Sequence, residues 1–181
     1  MKRGLTGRPF SWCCKMTPNQ QAIFIAVRAY ILSLIDCEVV RGLDNGVPMP
    51  KQPFICLTPI MSNRLATNQH SYDGLANKAI QTNMDYSIQI DCYGPLSSDW
   101  AAIICATWRD DYAVNKMAPT CAPLYADDPK QLPIVDGEAN FEQRWMLNAV
   151  LQYNPVVTVP QDFFDTATVE FINVTAEYPP E

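Results

Sequence analysis

The sequence is poor in the residues that build most catalytic and nucleotide-binding motifs. Its 181 residues include one histidine, His70, and only seven glycines. A nucleophile elbow needs glycines around a serine that follows a strand, and a phosphate-binding loop needs a glycine-rich run before Lys and Ser or Thr; neither motif occurs. The single histidine and the lack of any C-x-x-C spacing also speak against a zinc site. We therefore expect no catalytic residue, no cofactor and no metal.

Positive charge is scarce as well. The chain has 13 Lys and Arg against 19 Asp and Glu, which gives a formal net charge of −6, and the basic residues do not cluster. Proteins that hold nucleic acid through its phosphates carry basic patches, so phosphate binding is not expected to be the main task. Charged residues make up only 18% of the chain, which favours a surface partly covered by partner proteins.

Long apolar runs are missing too. The longest, residues 22–35, is too short to cross a bilayer and contains Arg28, so it predicts a core helix and no membrane association. The first fifteen residues lack the apolar run of a secretory signal.

The chain has seven cysteines, an odd number, and several lie on faces predicted to be buried. We expect a cytosol-made protein with reduced cysteines.

The clearest structural signal lies in residues 79–109. Between residues 80 and 92, apolar side chains and Thr or Tyr alternate with polar ones, a period of two that predicts one long, half-buried strand. Gly94 and Pro95 end this strand. A helix capped by Ser97 or Ser98 is expected next, and it would bury a set of residues at three- and four-residue steps: Trp100, Ile103, Ile104 and Trp108.

Two further elements are predicted before that stretch. A capping box that begins at Thr17 predicts a helix over about 18–35. Residues 37–43 and 54–60 are predicted strands, separated by turn residues and three prolines. The second of these runs is nearly apolar, which suggests cover on both faces. We expect the two strands to form a hairpin with an extended tip.

The remaining sequence alternates between polar excursions and strands. The excursions cover residues 61–78 and about 112–140, and such long loops are usually functional or disordered. Residues 141–153 restore the period of two and are the natural antiparallel partner of 80–92. Short extended pieces are predicted over 156–159 and 164–176.

These elements predict an α+β fold. It would consist of a single, mainly antiparallel β-sheet with two α-helices packed on one face and long Pro-rich loops. The opposite face of the sheet is then polar, as antiparallel sheets allow. Residues 1–16 show no periodicity and are expected to form an N-terminal arm, and residues 17–181 are expected to form one domain.

Few side chains suggest chemistry, and each has a simpler explanation. His70 lies in a polar stretch without a serine or cysteine that the sequence places beside it, and a surface histidine explains it better. The pairs Asp110-Asp111 and Asp127-Asp128 fit solvated turns, because adjacent residues of a helix do not share a face. A small hydrolase or ligand-binding domain is the function that these residues would support.

The polar side of the 80–92 strand and two arginines leave alternatives open. Arg41 and Arg64, at the bases of loops, are either solvated or bound to carboxylates of a neighbouring copy. The polar side of the strand either faces bulk water or lines an aqueous channel, where acids and amides would leave passing DNA unbound. The candidate channel-facing residues are Gln81, Asn83, Asp85, Gln89 and Asp91.

The order and spacing of several segments, from about residue 17 to the C terminus, resemble the neck terminator proteins of tailed phages. No single segment is diagnostic, but together they are specific. The segments are Arg41-Gly42, Val47-Pro48, Pro53-Phe54, Thr58-Pro59, Arg64-Leu65-Ala66-Thr67-Asn68, Ile90-Asp91-Cys92-Tyr93-Gly94-Pro95, Asp99-Trp100, Trp108-Arg109, Ala122-Pro123-Leu124-Tyr125-Ala126-Asp127-Asp128-Pro129 and Tyr153-Asn154-Pro155-Val156-Val157-Thr158-Val159-Pro160-Gln161.

The resemblance implies a tail-terminator-like fold and a structural role in the virion. Copies of the protein would form a homo-oligomeric ring, expected to be a hexamer, that caps the tail tube and joins it to the head-tail connector. The implied partners are other copies, the connector and the tail tube, with the sheath as a further candidate, and DNA only in transit. The virion would be assembled in the host cytoplasm. Another ring of the same neck, on the head-closure or tube side, is the nearest alternative. Candidate subunit contacts are Arg41, Asn45, Arg64, Tyr125, Asp127 and Asp128.

Overall fold

The computed structural model describes residues 16–17, 19–43, 48–74, 76–132, 134–135, 141–162 and 169. The predicted strand over 164–176 lies outside these residues except for Val169, and so do Asn45 and residues 1–15. The helices are α1 (Gln20–Leu32), α2 (Ser97–Trp108) and α3 (Asp111–Met117). The strands are β1 (Met16–Thr17), β2 (Glu38–Arg41), β3 (Phe54–Arg64), β4 (Gln69–Tyr72), β5 (Asn77–Gln81), β6 (Met84–Tyr93), β7 (Ala122–Ala126), β8 (Lys130–Gln131), β9 (Ile134–Val135), β10 (Phe141–Glu142), β11 (Arg144–Tyr153) and β12 (Val156–Pro160).

The largest layer of the fold is a six-stranded sheet. Its strands follow the order β2-β3-β6-β11-β7, and β8 also pairs with β11. The central pair, β6 and β11, is antiparallel from Tyr93 opposite Arg144 to Met84 opposite Tyr153. The predicted partnership of these two strands is therefore confirmed. The α+β class with a mainly antiparallel sheet is confirmed too, and the described residues form three helices rather than the expected two.

The expected hairpin of the first two predicted strands is wrong, because β2 and β3 run parallel. Glu38 is opposite Phe54 and Arg41 is opposite Leu57. Residues 42–53 separate these strands, and a connection of about a dozen residues is what a parallel return requires. The prolines in this connection prevent a tight hairpin turn. The backbone N–H of Gly42 then donates to the Leu57 carbonyl at 2.8 Å, which holds the start of the connection against β3.

The predicted long strand over 80–92 is in fact two strands in different sheets. β6 lies in the six-stranded sheet, whereas β5 belongs to a four-stranded sheet with the order β1-β12-β5-β4. The break falls at Thr82 and Asn83, where Thr82 N–H donates to the Pro155 carbonyl and Leu65 N–H donates to the Asn83 carbonyl. The polar-apolar alternation continues across the break, and so the sequence pattern did not reveal it.

Both predicted excursions contain regular structure. Residues 61–78 hold the end of β3, all of β4 and the start of β5, and residues 112–140 hold most of α3 as well as β7, β8 and β9. The polar side chains that suggested loops are exposed on short strands: all four residues of β4 are exposed. Polarity on an edge strand and polarity in a loop give the same sequence signal.

The helix caps differ from those expected. Asn19, rather than Thr17, caps α1, since its side chain accepts from Ala22 N–H at 2.9 Å. Neither Ser97 nor Ser98 caps α2: the N-cap is Leu96, without a side-chain bond, and the Ser97 hydroxyl is buried without a partner among the described residues. Asp110 caps α3 by accepting from the N–H of Tyr112.

The helices cover one face of the six-stranded sheet and form the core with it. Tyr86, Ile88, Ile90 and Cys92 of β6 are at most 3% exposed on this side. Burying each aliphatic side chain contributes about 1.5–3 kcal/mol. Trp108 of α2 is fully buried, and its indole N–H donates to a β11 carbonyl at 3.1 Å. Apolar burial and a few specific hydrogen bonds therefore hold the helix layer against the sheet.

Candidate interaction surfaces

The side of the six-stranded sheet opposite the helices is called the outer face below. It carries the alternate residues of each strand, and strand register arranges them in rows across the sheet. The rows run Glu38–Phe54–Tyr93–Arg144, Val40–Cys56–Asp91–Met146–Lys130, Thr58–Gln89–Asn148, Met61–Ser87–Val150–Tyr125 and Asn63–Asp85–Gln152–Ala122. The central row, Thr58–Gln89–Asn148, is polar throughout, as the alternation predicts.

One buried ion pair lies on the outer face. Asp91 is only 3% exposed, and its Oδ1 lies 2.9 Å from Arg144 Nη2 and 3.0 Å from Arg144 Nε. The other carboxylate oxygen accepts a hydrogen bond from Gln89 Nε2 at 2.8 Å. Both carboxylate oxygens are thus satisfied within the chain, and the buried negative charge is compensated.

An aromatic pair lies beside the ion pair. The rings of Phe54 and Tyr93 stack with centroids 4.5 Å apart and an interplanar angle of 14°. The Arg144 guanidinium carbon lies 5.8 Å from the Tyr93 ring centroid. Burial raises the pKa of the Tyr93 phenol, and the positive charge of Arg144 opposes that shift. The Arg144 guanidinium therefore contacts the Tyr93 ring as well as the Asp91 carboxylate.

The candidate channel-facing residues fall into two groups. Asp85, Gln89 and Asp91 share the outer face, and the Asp85 carboxylate accepts from Asn63 N–H at 2.9 Å. Gln81 lies instead at the end of β5 in the four-stranded sheet, and Asn83 lies in the link between β5 and β6. The structure brings three of the five together.

The described candidate subunit-contact residues lie at two opposite edges of the six-stranded sheet. Arg41 ends β2 and Arg64 ends β3, on one side of the strand order. Arg41 is part-buried, and its guanidinium makes long contacts of 3.4 and 3.5 Å with the side chains of Gln21 and Gln20. Arg64 is exposed. This edge of the sheet therefore carries two arginines.

The opposite edge of the sheet carries the other three. Tyr125 of β7 is 48% exposed, and Asp127 and Asp128 follow β7 as exposed residues. The Asp127 backbone N–H donates to the Asn148 carbonyl at 2.8 Å, which fixes this acidic segment to β11. Sequence adjacency explained the aspartates as a solvated turn, and only the strand order shows that they lie across the sheet from the arginines.

Sequence reasoning missed the exposed apolar residues at these edges. The apolar run over 54–60 suggested one strand covered on both faces, and Phe54 to Leu57 are indeed buried. Ile60 and the following Met61, however, are 52% and 51% exposed. On β7, Leu124 is 39% exposed. β2 covers β3 only as far as Leu57, which leaves the rest of β3 at the edge. Hydropathy alone did not indicate this exposure, because it depends on the residue at which β2 ends.

The remaining chemical candidates have structural explanations. His70 is exposed on β4, opposite Ile80 of β5. The backbone N–H of Tyr112 lowers the pKa of Asp110, as expected for a helix cap. In the part of the chain that the structure describes, no group of His, Cys, Asp and Glu could hold a metal ion, and no helix has the length and hydropathy of a membrane span. The described cysteines are free, and three of them, Cys56, Cys92 and Cys121, are buried.

The comparison with protein families agrees with the resemblance noted in the sequence. The family model described as phage neck terminator protein matches residues 21–176. No curated protein matches the chain. The matched region includes α1 from its second residue, both other helices and every strand of the six-stranded sheet. The chain therefore belongs to the phage neck terminator protein family and is a structural protein of the bacteriophage neck.

Proposed function

We propose that this protein forms a closed ring at the phage neck, caps the tail tube and joins it to the head-tail connector, leaving a channel for DNA. Family membership supports a place in the neck among other neck and tail proteins. The outer face of the six-stranded sheet is the surface that would line the channel. The helices, on the opposite side, would then lie toward the outside of the ring.

The chemistry of the outer face is the observation that carries this proposal. Its central row presents the hydroxyl of Thr58 and the amides of Gln89 and Asn148. The acid nearest to that row, Asp91, is neutralised by Arg144 within the chain. Tight binding to DNA comes from Lys and Arg that neutralise phosphates. A central row of amides and a hydroxyl, beside a compensated charge, stays hydrated without holding phosphates, which suits a passage through which DNA moves.

The ring would be homo-oligomeric and six-fold, built from one repeated contact between two different surfaces of each copy. Such heterologous contacts close into a ring when the rotation between neighbours allows it. Its further partners would be the connector on one side, the tail tube on the other, and the sheath where a tail has one. The protein would work by contact and not by catalysis. It would join the virion during assembly in the host cytoplasm.

Deletion of the gene from its phage tests this function. We expect filled heads and separate tails, because nothing would join the two, and negative-stain microscopy of the lysate would show both. Complementation with the intact gene should restore complete particles. Normal virions without the protein would contradict the proposal. The mass of the purified assembly gives the second test, since a closed ring requires a fixed multiple of 20.4 kDa.

A further inference from the structure

The two edges of the six-stranded sheet match each other in chemistry. The first, called the basic edge, consists of Arg41, Ile60, Met61 and Arg64. The second, called the acidic edge, consists of Leu124, Tyr125, Asp127 and Asp128. Each edge exposes two large apolar side chains beside two charges of one sign, and the signs are opposite. Glu38, at the far end of β2 from Arg41, and Lys130 of β8 carry the opposite charge but lie outside both sets.

The backbone of each edge argues against contact by simple strand addition. Pro59 lies on the part of β3 that β2 leaves unpaired and Pro123 lies on β7, and proline has no N–H to give to a ladder. The pairing of β3 with β6 also shifts register between Pro59 and Met61. Natural proteins use prolines and bulges to prevent edge-to-edge pairing of strands. A contact at these edges would therefore be made by side chains.

The positions of the two edges also match. Met61 is opposite Ser87, Ser87 is opposite Val150, and Val150 is opposite Tyr125, so Met61 and Tyr125 end the same row of the outer face. A neighbour rotated about an axis parallel to the strands would bring its Tyr125 beside Met61 without a shift along the strands. The same rotation would bring its outer face into line with the first.

We propose that the basic edge of one copy packs against the acidic edge of the next copy of this chain. Ile60 and Met61 would contact Leu124 and Tyr125, and Arg41, whose row runs through Leu57 and Ile90 to Leu147, would face the aspartates that follow β7. This inference rests on the ring proposed above and specifies which surfaces close it. Apolar contact in the centre would supply most of the affinity, while the charges would select orientation and exclude contact between like edges.

A charge exchange across the interface tests the pairing. Arg41→Asp and Asp128→Arg are prepared singly and together, and the association of each purified protein is measured by sedimentation over a range of concentrations. Each single reversal places like charges together, so we expect association to weaken by about tenfold or more. The double variant restores opposite charges and should return to within about threefold of the wild type.

Matched controls separate assembly from folding. Lys116→Asp changes the net charge as Arg41→Asp does, but Lys116 is exposed on α3 in the helix layer, so association should stay as in the wild type. Circular dichroism melting shows whether each variant folds. Asp128 is exposed and Arg41 makes only long contacts with Gln20 and Gln21, so both edge variants should melt as the wild type does. Tyr125→Ser, an uncharged change at the acidic edge, should also weaken association.

Two outcomes would overturn the inference about the edges, and a third would overturn the proposed ring as well. If both single reversals assemble like the wild type, or if the double variant stays dissociated while each single variant folds, the two edges do not meet. In either case the proposed ring still stands, provided that the wild type assembles. A wild-type protein that stays a 20.4 kDa monomer at every concentration, and also in the presence of tail tubes, would overturn the ring itself.

Discussion

The two faces of the six-stranded sheet are built from the same strands but have different physical tasks. On the helix side, Ile88 and Ile90 are at most 3% exposed in a continuous apolar core. On the outer face, their neighbours Gln89 and Asp91 form a hydrogen-bonded network with Arg144. Moving by one residue along β6 therefore changes the dominant stabilising force from apolar burial to paired polar contacts.

The difference shows how a partly buried polar surface can be stable without ligands. An unpaired buried carboxylate would cost several kcal/mol, but Asp91 has partners for both oxygens. On the helix side the buried Tyr30 hydroxyl has such a partner, 2.7 Å away at Thr107 Oγ1, whereas the buried Ser97 hydroxyl has none among the described residues. Substitutions on the two faces should therefore have different consequences.

The largest expected effect is that of a charge on the helix side. Ile88→Asp places a carboxylate in the core without a partner. We expect no soluble folded protein, because the free-energy cost of this buried charge is comparable to the whole free energy of unfolding of a typical domain. Ser87→Asp, the same substituent one residue away on the outer face, should leave a folded protein with a small loss of stability. Expression and near-UV circular dichroism would check both. A folded Ile88→Asp protein would show that the two faces have been assigned the wrong way round.

A smaller effect is expected when the outer ion pair is broken. Arg144→Met leaves Asp91 buried without its cation, which should lower the free energy of unfolding by about 3 kcal/mol; the 20% exposure of the Arg144 side chain keeps the cost at the lower end. Chemical denaturation would measure it.

The neighbouring Asn148→Met on the same strand and face serves as the control for that experiment. Its amide makes only a long 3.5 Å contact with Asp127, so the loss should stay within about 0.5 kcal/mol. Removing the acid as well, in Asp91→Asn with Arg144→Met, should recover part of the loss. Equal stability of Arg144→Met and the wild type would mean that the pair contributes nothing to the fold.

The smallest effect concerns the buried phenol of Tyr30. Tyr30→Phe removes the hydrogen bond to Thr107 and should cost about 1 kcal/mol at neutral pH. Burial raises the pKa of Tyr30 to about 12 from an ordinary value of 10.0. The unfolded chain would ionise first, so the stability that this shift provides is complete below pH 10 and is lost as the pH rises to about 12.

Denaturation at several alkaline pH values would measure this dependence. The wild type should lose more stability than Tyr30→Phe between pH 10 and 12, so the advantage that it has at neutral pH should disappear over this range. Tyr125→Phe, on the exposed acidic edge, should follow the wild type. Burial also raises the pKa of Cys92 and of Cys121 to about 12, so these thiols contribute to the pH dependence of every variant. The effect of the phenol is therefore the difference between the wild type and Tyr30→Phe. Parallel curves for Tyr30→Phe and the wild type would rule out a role of the phenol.

Much of the secondary structure was predictable, because local periodicity reports which side of an element is buried. The alternation in β6 and β11 identified both strands and their pairing, and the apolar steps of α1 and α2 identified two helices. The third helix lies within a stretch rich in prolines and was missed. α3 has only seven residues, which is too short for a periodic pattern to stand out.

The candidate site was only partly predictable. Arg41, Arg64, Tyr125, Asp127 and Asp128 were named from the sequence, but their division between two edges was not. Ile60 and Met61 were missed because exposure at the end of β3 depends on where β2 stops. Partner strands decide exposure at an edge, and partners far apart in sequence leave no local signal.

By itself, the amino-acid sequence determined the alternation that separates an apolar face from a polar one, the helices that cover the first, and the family, because these depend on residue order alone. Only the tertiary structure decided that β2 joins β3 in parallel, that the chain leaves one sheet for another at Thr82, and that arginines and aspartates lie at opposite edges. The reason is physical: strand partners and sheet edges are set by contacts between residues distant in sequence, and a local pattern carries no information about such contacts.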